Sequence, residues 1–313
     1  MSFNPHLLDN LHLLIGVEPE NLGTPETLSR LTKFFVGDGL WAMPSSVSVD
    51  NVIVHSAEHP VPVRLYHPKV VDAPPLVWLH GGGFVGGNID MPESHCVAAE
   101  LAAQARCVVV AVDYRLASET VRYPAPVDDV VAVWRWLSED QSAAGTPAIG
   151  GASAGAALAL STALRARDEG LVEPRALLLA YPFAHFPTPA LPWDIAEEMK
   201  VLPPFLRFTP ESIAGMVRAY VGRTTCIPAH AMPGAADLSG LAPTTVIVDE
   251  YDDLRPSAEL LIEQLSDSGV EVDRYLAAGV PHGHLNWSPT IDEVSRSIKV
   301  FARALQPIQV DQL

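Results

Sequence analysis

Apolar residues recur along this chain in two rhythms. Over residues 6–16 and 25–36 they fall at helical spacing, with Thr24 and Pro25 suited to an N-cap and a first-turn proline. Beyond Pro44 the rhythm changes. Val47, Val49, Val52 and Val54, then Val61, Val63 and Leu65, alternate as two partnered strands do. Pro74-Pro75 then interrupts the chain ahead of a short apolar run, Leu76 to Leu79. From there strands are predicted at 76–79, 107–112, 148–150, 176–180, 245–249 and 270–276, separated by helices at 92–105, 126–139, 154–168, 256–268 and 291–305. Short apolar strands separated by helices make βαβ units. The expected fold class is therefore α/β, a mainly parallel sheet of eight strands with an antiparallel start.

One connection breaks this alternation. Residues 182–235 are rich in Pro and aromatics, among them Phe183, Phe186, Trp193, Phe205 and Phe208, and 210–221 reads as a helix opened by Thr209-Pro210-Glu211. A link of that length between consecutive core strands is too long for an ordinary loop, and such insertions often serve as lids.

Composition narrows the classes. Of 313 residues 48% are apolar and 18% charged, enough for a substantial core. The 37 acidic against 20 basic side chains give a net charge of −17 with no Lys/Arg cluster, which speaks against nucleic acid and anionic membrane surfaces. No apolar run approaches the ~20 residues of a bilayer span, so membrane insertion is not expected. Met1 to Gly16 lacks a basic n-region and a small-residue cleavage site, so no signal peptide is expected. Cys96, Cys107 and Cys226 are an odd trio without metal-ligand spacing and are expected as reduced, buried thiols of a cytoplasmic protein. His55 and His59 have i, i+4 spacing but flank a hairpin, with Pro60 following, so no metal is expected.

The sharpest chemical signal is Gly151-Ala152-Ser153-Ala154-Gly155, between a short strand and a helix. A nucleophile on such a turn adopts strained backbone angles, needs small flanking residues, and stands before a helix N-terminus that stabilises negative charge. A Gly/Ala-rich helix start with a capping Ser would read the same way. His80-Gly81-Gly82-Gly83 follows strand 76–79, and its glycines let backbone N–H groups face a cavity as an oxyanion requires, with His80 as an orienting residue of the loop. A rival uses the same loop: Gly81, Gly83 and Gly86 spell G-x-G-x-x-G, with Asp113 placed for a ribose, the outline of an NAD(P)-dependent oxidoreductase. Against it, Asn88 to Pro92 separate Gly86 from the helix start, and Asp113 lies somewhat far along. Finally, the strand from Thr245 runs through Val248 into Asp249, Asp252 and Asp253, and His282 and His284 follow strand 270–276, at the sheet edge where doubly wound folds place their sites.

With HGGGFVGG at 80–87, DYRLASE at 113–119, YPAPVDD at 123–129, GASAG at 151–155, and DEYDDLR and PHGH towards the end, the chain resembles the hormone-sensitive-lipase-like family of α/β-hydrolase esterases, bacterial lipolytic family IV, from residue 75 to residue 290 or so. The resemblance implies an α/β-hydrolase fold with a helical cap. Its catalytic domain would comprise 46–181 and 236–313, and its cap an N-terminal segment, 1–45, with the insertion 182–235. It makes Ser153 the nucleophile, His282 the general base and Asp252 the orienting acid, preferred to Asp249 and Asp253 because the family's acid lies in a D-x-L-R segment. Gly82, Gly83 and Ala154 would supply the oxyanion N–H groups. The substrate would be a small ester with a short acyl chain, and catalysis would need no cofactor. A homodimer is compatible with this pattern, as is a homologue that binds ligands without catalysis.

Phe34, Phe84, Phe183 and Phe205 are candidates to touch substrate. More broadly, eight aromatics (Phe34, Phe35, Trp41 and the five of the insertion) are expected around the site, about half of them as glue between cap and sheet. Four departures from the family pattern stand out: Ala152 in place of Asp or Thr, Ala156-Ala157 in place of Gly-Asn, Ser118 in place of Pro, and His284 where Phe is frequent. His284 is expected either to face the pocket or to be a solvated or helix-capping residue.

Overall fold

The computed structural model describes residues 3–37, 41–56, 59–139 and 145–306. Eight strands form one sheet: β1 (Val47–His55), β2 (Pro60–Pro68), β3 (Leu76–Leu79), β4 (Val109–Val112), β5 (Ala148–Ala152), β6 (Leu177–Ala180), β7 (Thr244–Tyr251) and β8 (Val272–Pro281), in the order β1-β2-β4-β3-β5-β6-β7-β8. The first two pairings, β1 with β2 and β2 with β4, are antiparallel; all later ones are parallel. The inner strands LVWL, VVAV and LLLA are buried at every position because helices cover both faces of the sheet.

One face carries α3 (Pro92–Ala105) and α9 (Asp292–Leu305), with α1 (Pro5–Asn10) and α2 (Pro25–Val36) packed beside them around Trp78 and Trp287. The other carries α4 (Ala125–Glu139), α5 (Ala154–Asp168) and α8 (Arg255–Asp267). The alanines of α5 bury almost its whole circumference, which brings the helix close under the sheet. Among the described residues no helix is long and apolar enough to cross a membrane.

Boundaries differ from the sequence reading where side chains or pairing intervene. The first predicted helix stops at Asn10, whose amide Nδ2 donates to the His6 carbonyl at 2.8 Å, and the chain tightens into a 3₁₀ turn over Leu11–Leu14. β8 starts two residues later and runs on to Pro281 through a register shift opposite Asp249 and Tyr251. Between β6 and β7 the insertion holds α6 (Trp193–Glu198), α7 (Pro210–Val221) and three short 3₁₀ turns. Thr209 caps α7 by accepting the Ser212 N–H at 3.2 Å. The three cysteines are unpaired, but only Cys107 is fully buried: Cys226, expected inside, is exposed.

Candidate active site

At the end of β5 the chain turns into α5 within one residue. Ser153 occupies that turn at φ +54°, ψ −116°, and its side chain makes no capping bond, so the helix-cap alternative fails. The turn packs onto the end of β3. A Cβ at Gly155 would stand 2.3 Å from the Leu79 carbonyl oxygen, and one at Gly151 would stand 2.6 Å from that of Gly155. Glycine at both flanks is thus a requirement of backbone approach.

The Ser153 hydroxyl lies 2.9 Å from His282 Nε2, and His282 Nδ1 lies 2.7 Å from Asp252 Oδ2. Asp252 is buried, and its other oxygen accepts the Leu254 N–H at 2.7 Å. These bonds set the tautomer: Nδ1 carries the proton toward Asp252, and Nε2 is left to accept from the hydroxyl. Burial by itself would lower the His282 pKa, but the Asp252 carboxylate, with Asp249 and Glu93 farther off, raises it above its usual value. Tyr181 and Phe208 present ring edges to the imidazole at 4.9 and 4.8 Å between centroids, and only 8% of the side chain reaches solvent.

Gly82 and Gly83 take positive φ, +115° and +61°, and line the same cavity as Ser153 and His282. His80 is buried behind them, stacked on Tyr114 with its Nδ1 2.7 Å from the Gly81 carbonyl, and burial pushes its pKa down to about 4. It is a neutral orienting group. The dinucleotide reading of this loop fails on geometry, because α3 begins only at Pro92, so no helix N-terminus receives the Gly81–Gly86 turn.

The cavity measures about 630 Å³, and its walls are apolar: Leu22 and Phe35 from the N-terminal segment, Phe205, Leu206, Phe208 and Met216 from the insertion, and Phe183 after β6. Of the four candidate substrate contacts, Phe183 and Phe205 line this cavity. Phe34 and Phe84 do not. Phe34 faces inward on α2 against Trp287 and is fully buried; Phe84 stacks on Tyr220 at 4.0 Å beneath the glycine loop. Both are core residues. Of the other aromatics, Trp41 packs on His95, Phe186 lines a neighbouring pocket and Trp193 is 78% exposed.

Sequence reasoning missed several residues here. Glu93, buried on α3, accepts N–H of Gly81 at 2.6 Å, O–H of Tyr181 at 2.5 Å and Nδ2 of Asn286 at 3.2 Å, and so ties the glycine loop to the loop that bears His282. Burial raises its pKa while the Tyr181 and Gly81 donors oppose the shift. Asp253 accepts Arg207 through two bonds, at 2.9 and 3.0 Å, and the Phe208 N–H at 2.8 Å, which fastens the insertion to the Asp252 loop. A first-turn Glu and a loop Asp carry no sequence signal of such partners.

A mixed sheet of this order, with a serine on a strained strand-to-helix turn after β5 and an Asp–His pair after β7 and β8, defines the α/β-hydrolase class. Residues 76–286 match the α/β hydrolase fold family. Carboxylesterase NlhH of Mycobacterium tuberculosis is 33% identical over 260 residues, covering 78% of this chain and 79% of its own. The ethyl acetate hydrolase of Pseudomonas putida is 30% identical over 266 residues, 79% of each. A hyperthermophilic esterase from the archaeon Pyrobaculum calidifontis superimposes with a TM-score of 0.81 at 30% identity, over 98% of both chains. The chain belongs to the α/β-hydrolase fold family, in its hormone-sensitive-lipase-like branch of carboxylic ester hydrolases.

Proposed function

We propose that the protein is a serine carboxylesterase acting on short-chain acyl esters, with Ser153 as nucleophile, His282 as general base and acid, and Asp252 as the group that orients and charges His282. The observation that carries this reading is the unbroken line from Ser153 Oγ through His282 to Asp252, at 2.9 and 2.7 Å, opening on a cavity. Neutral His282 accepts the hydroxyl proton at Nε2 as Oγ attacks the ester carbonyl, and buried Asp252 stabilises the imidazolium that results. The oxyanion meets the backbone N–H groups of Gly82, Gly83 and Ala154, at the positive end of α5. His282 then protonates the departing alcohol, and water repeats the sequence on the acyl-enzyme. No cofactor enters this scheme.

Substrate size follows from the walls. Segments 1–45 and 182–235 act together as the cap, and a cavity of about 630 Å³ must hold acyl and alcohol parts together. A chain of about two to six acyl carbons gains up to ~0.8 kcal/mol per buried methylene, and longer chains must stay in water or displace the cap. The test is kcat/KM across p-nitrophenyl esters from acetate to palmitate, each kept dissolved. A maximum at short chains is expected. A maximum at long chains, or a jump in rate on micelle formation, would contradict the reading. Cytoplasmic action is part of the proposal, on the strength of three unpaired cysteines.

A further inference from the structure

The end of β7 and the loop after it supply three aspartates, and each has a different partner. Asp252 faces His282 and Asp253 faces Arg207; Asp249 faces His284, with Oδ1 2.7 Å from His284 Nδ1. His284 Nε2 in turn lies 2.8 Å from the Ser297 hydroxyl on α9. All three side chains are fully buried, and none of them lines the cavity. His284 is therefore neither pocket-facing nor solvated, as had been expected. Asp249, His284 and Ser297 lie in a second Asp–His–Ser row, sealed from substrate, whose histidine is two residues beyond His282; its His284–Ser297 link has hydrogen-bond geometry, and its Asp249–His284 link is a close approach of the two groups without it.

We infer that this sealed line positions His282 for catalysis, an inference that rests on His282 being the base. Asp249 Oδ2 also accepts the Gly283 N–H at 3.0 Å, so the tripeptide from His282 to His284 is anchored at every residue: by Asp252, by Asp249, and by Asp249 with Ser297. Gly283 sits at φ +79°, a conformation that needs such fixing to point both imidazoles inward. Asp249 lies within β7, which runs with a register shift between Asp249 and Tyr251, and Asp252 follows the strand directly, so both carboxylates reach the loop that bears His282.

Stability alone does not call for this arrangement. A buried Asp–His pair is costly to desolvate, and an apolar pair such as the family's frequent Phe would hold the loop as firmly. What Asp249 adds is a carboxyl group that holds the Gly283 N–H and lies near His282; burial pushes its pKa up, and the neighbouring imidazoles oppose that shift. The ionisable groups facing that imidazole are Asp252, Asp249, Glu93 and Tyr181, with His284 reached through Asp249; of these, the three carboxylates favour the imidazolium that forms in each transition state.

The experiment compares wild type, Asp249→Asn and Ser297→Ala, full length, on p-nitrophenyl acetate across pH. In wild type kcat/KM falls as pH drops through the raised pKa of His282, since protonated imidazole cannot accept the Ser153 proton. Asp249→Asn removes charge but not volume. It is expected to lower kcat about tenfold with KM changed less than twofold, and to move the acid limb to lower pH because imidazolium is less favoured. Ser297→Ala should lower kcat about threefold at unchanged KM without moving that limb. A folded Asp249→Asn protein with the wild-type limb and kcat would overturn the inference. If that variant does not fold, Ser297→Ala decides, and an unchanged kcat there is the contrary result. Full wild-type turnover by a folded Ser153→Ala protein would instead break the underlying esterase mechanism.

Discussion

At Gly155 an added methyl group would strike the backbone of β3 at 2.3 Å; at Trp193, in the insertion, the whole indole stands 78% exposed. These two regions contribute to one site under different constraints. The turn around Ser153 is held by backbone against backbone, so each flanking residue is dictated by a contact inside the sheet. The insertion is held by side chains against a curved surface, and residues of the same type diverge in their work. Phe205 and Phe208 wall the cavity, Phe186 turns to a neighbouring pocket, and Trp193 meets solvent. Where backbone approach decides, a short motif carries the geometry. Where packing decides, composition gives only the kind of surface.

That contrast is broken most severely at the reacting groups. Ser153→Ala should leave only what oxyanion binding provides, about 10³–10⁴ over water, and Asp252→Asn should cost about 10⁴ in turnover by leaving His282 in the wrong tautomer. Asp253→Asn, whose partner is Arg207, should be far milder. Steady-state kinetics on a soluble short-chain ester, with circular dichroism to check folding, measures all three. If Asp253→Asn were the more damaging, the division of labour within this loop would be wrong.

A smaller effect separates the two kinds of aromatic. Phe34→Ala empties a fully buried site against Trp287 and Phe35 and should cost about 3–5 kcal/mol in urea unfolding. Phe205→Ala trims a partly exposed cavity wall and should change stability by under ~1 kcal/mol. It should instead lower the butyrate-to-acetate ratio of kcat/KM by about threefold to tenfold. Equal stability losses at the two positions would erase the distinction between core and wall.

Much of the fold was legible because the sheet is buried on both sides, so its strands read as unbroken apolar runs between helices. Motif order pointed to Ser153 after one strand and to groups of Asp and His candidates after two later ones, from which the family resemblance selected Asp252 and His282. Phe34, on the N-terminal helix, and Phe84, beside the glycine loop, were misplaced because an aromatic looks alike in sequence whether it turns to the cavity or to the core; helix phase put Phe34 inward and Phe35 towards the cavity, and the positive φ of Phe84, +68°, turned it under the loop onto Tyr220. Glu93 was invisible for another reason. Its partners Gly81, Tyr181 and Asn286 come from three distant stretches that only the closed sheet brings together. The same holds for Asp249 and Ser297, which are joined only through His284 once α9 docks beside β8. Ser118, unusual for its family, keeps its loop turned by accepting the Val121 N–H at 3.1 Å, a role that the sequence did not announce.

The central claim is that Ser153 is the nucleophile of an esterase, and a mechanism-based label tests it most directly. The folded protein is treated with a p-nitrophenyl phosphonate ester, which traps an activated serine as a stable adduct, and peptide mass spectrometry locates the modification. The account predicts loss of esterase activity in step with one equivalent of adduct, carried by Ser153 alone. Full activity without an adduct on Ser153, or inactivation by an adduct at another residue, would contradict it.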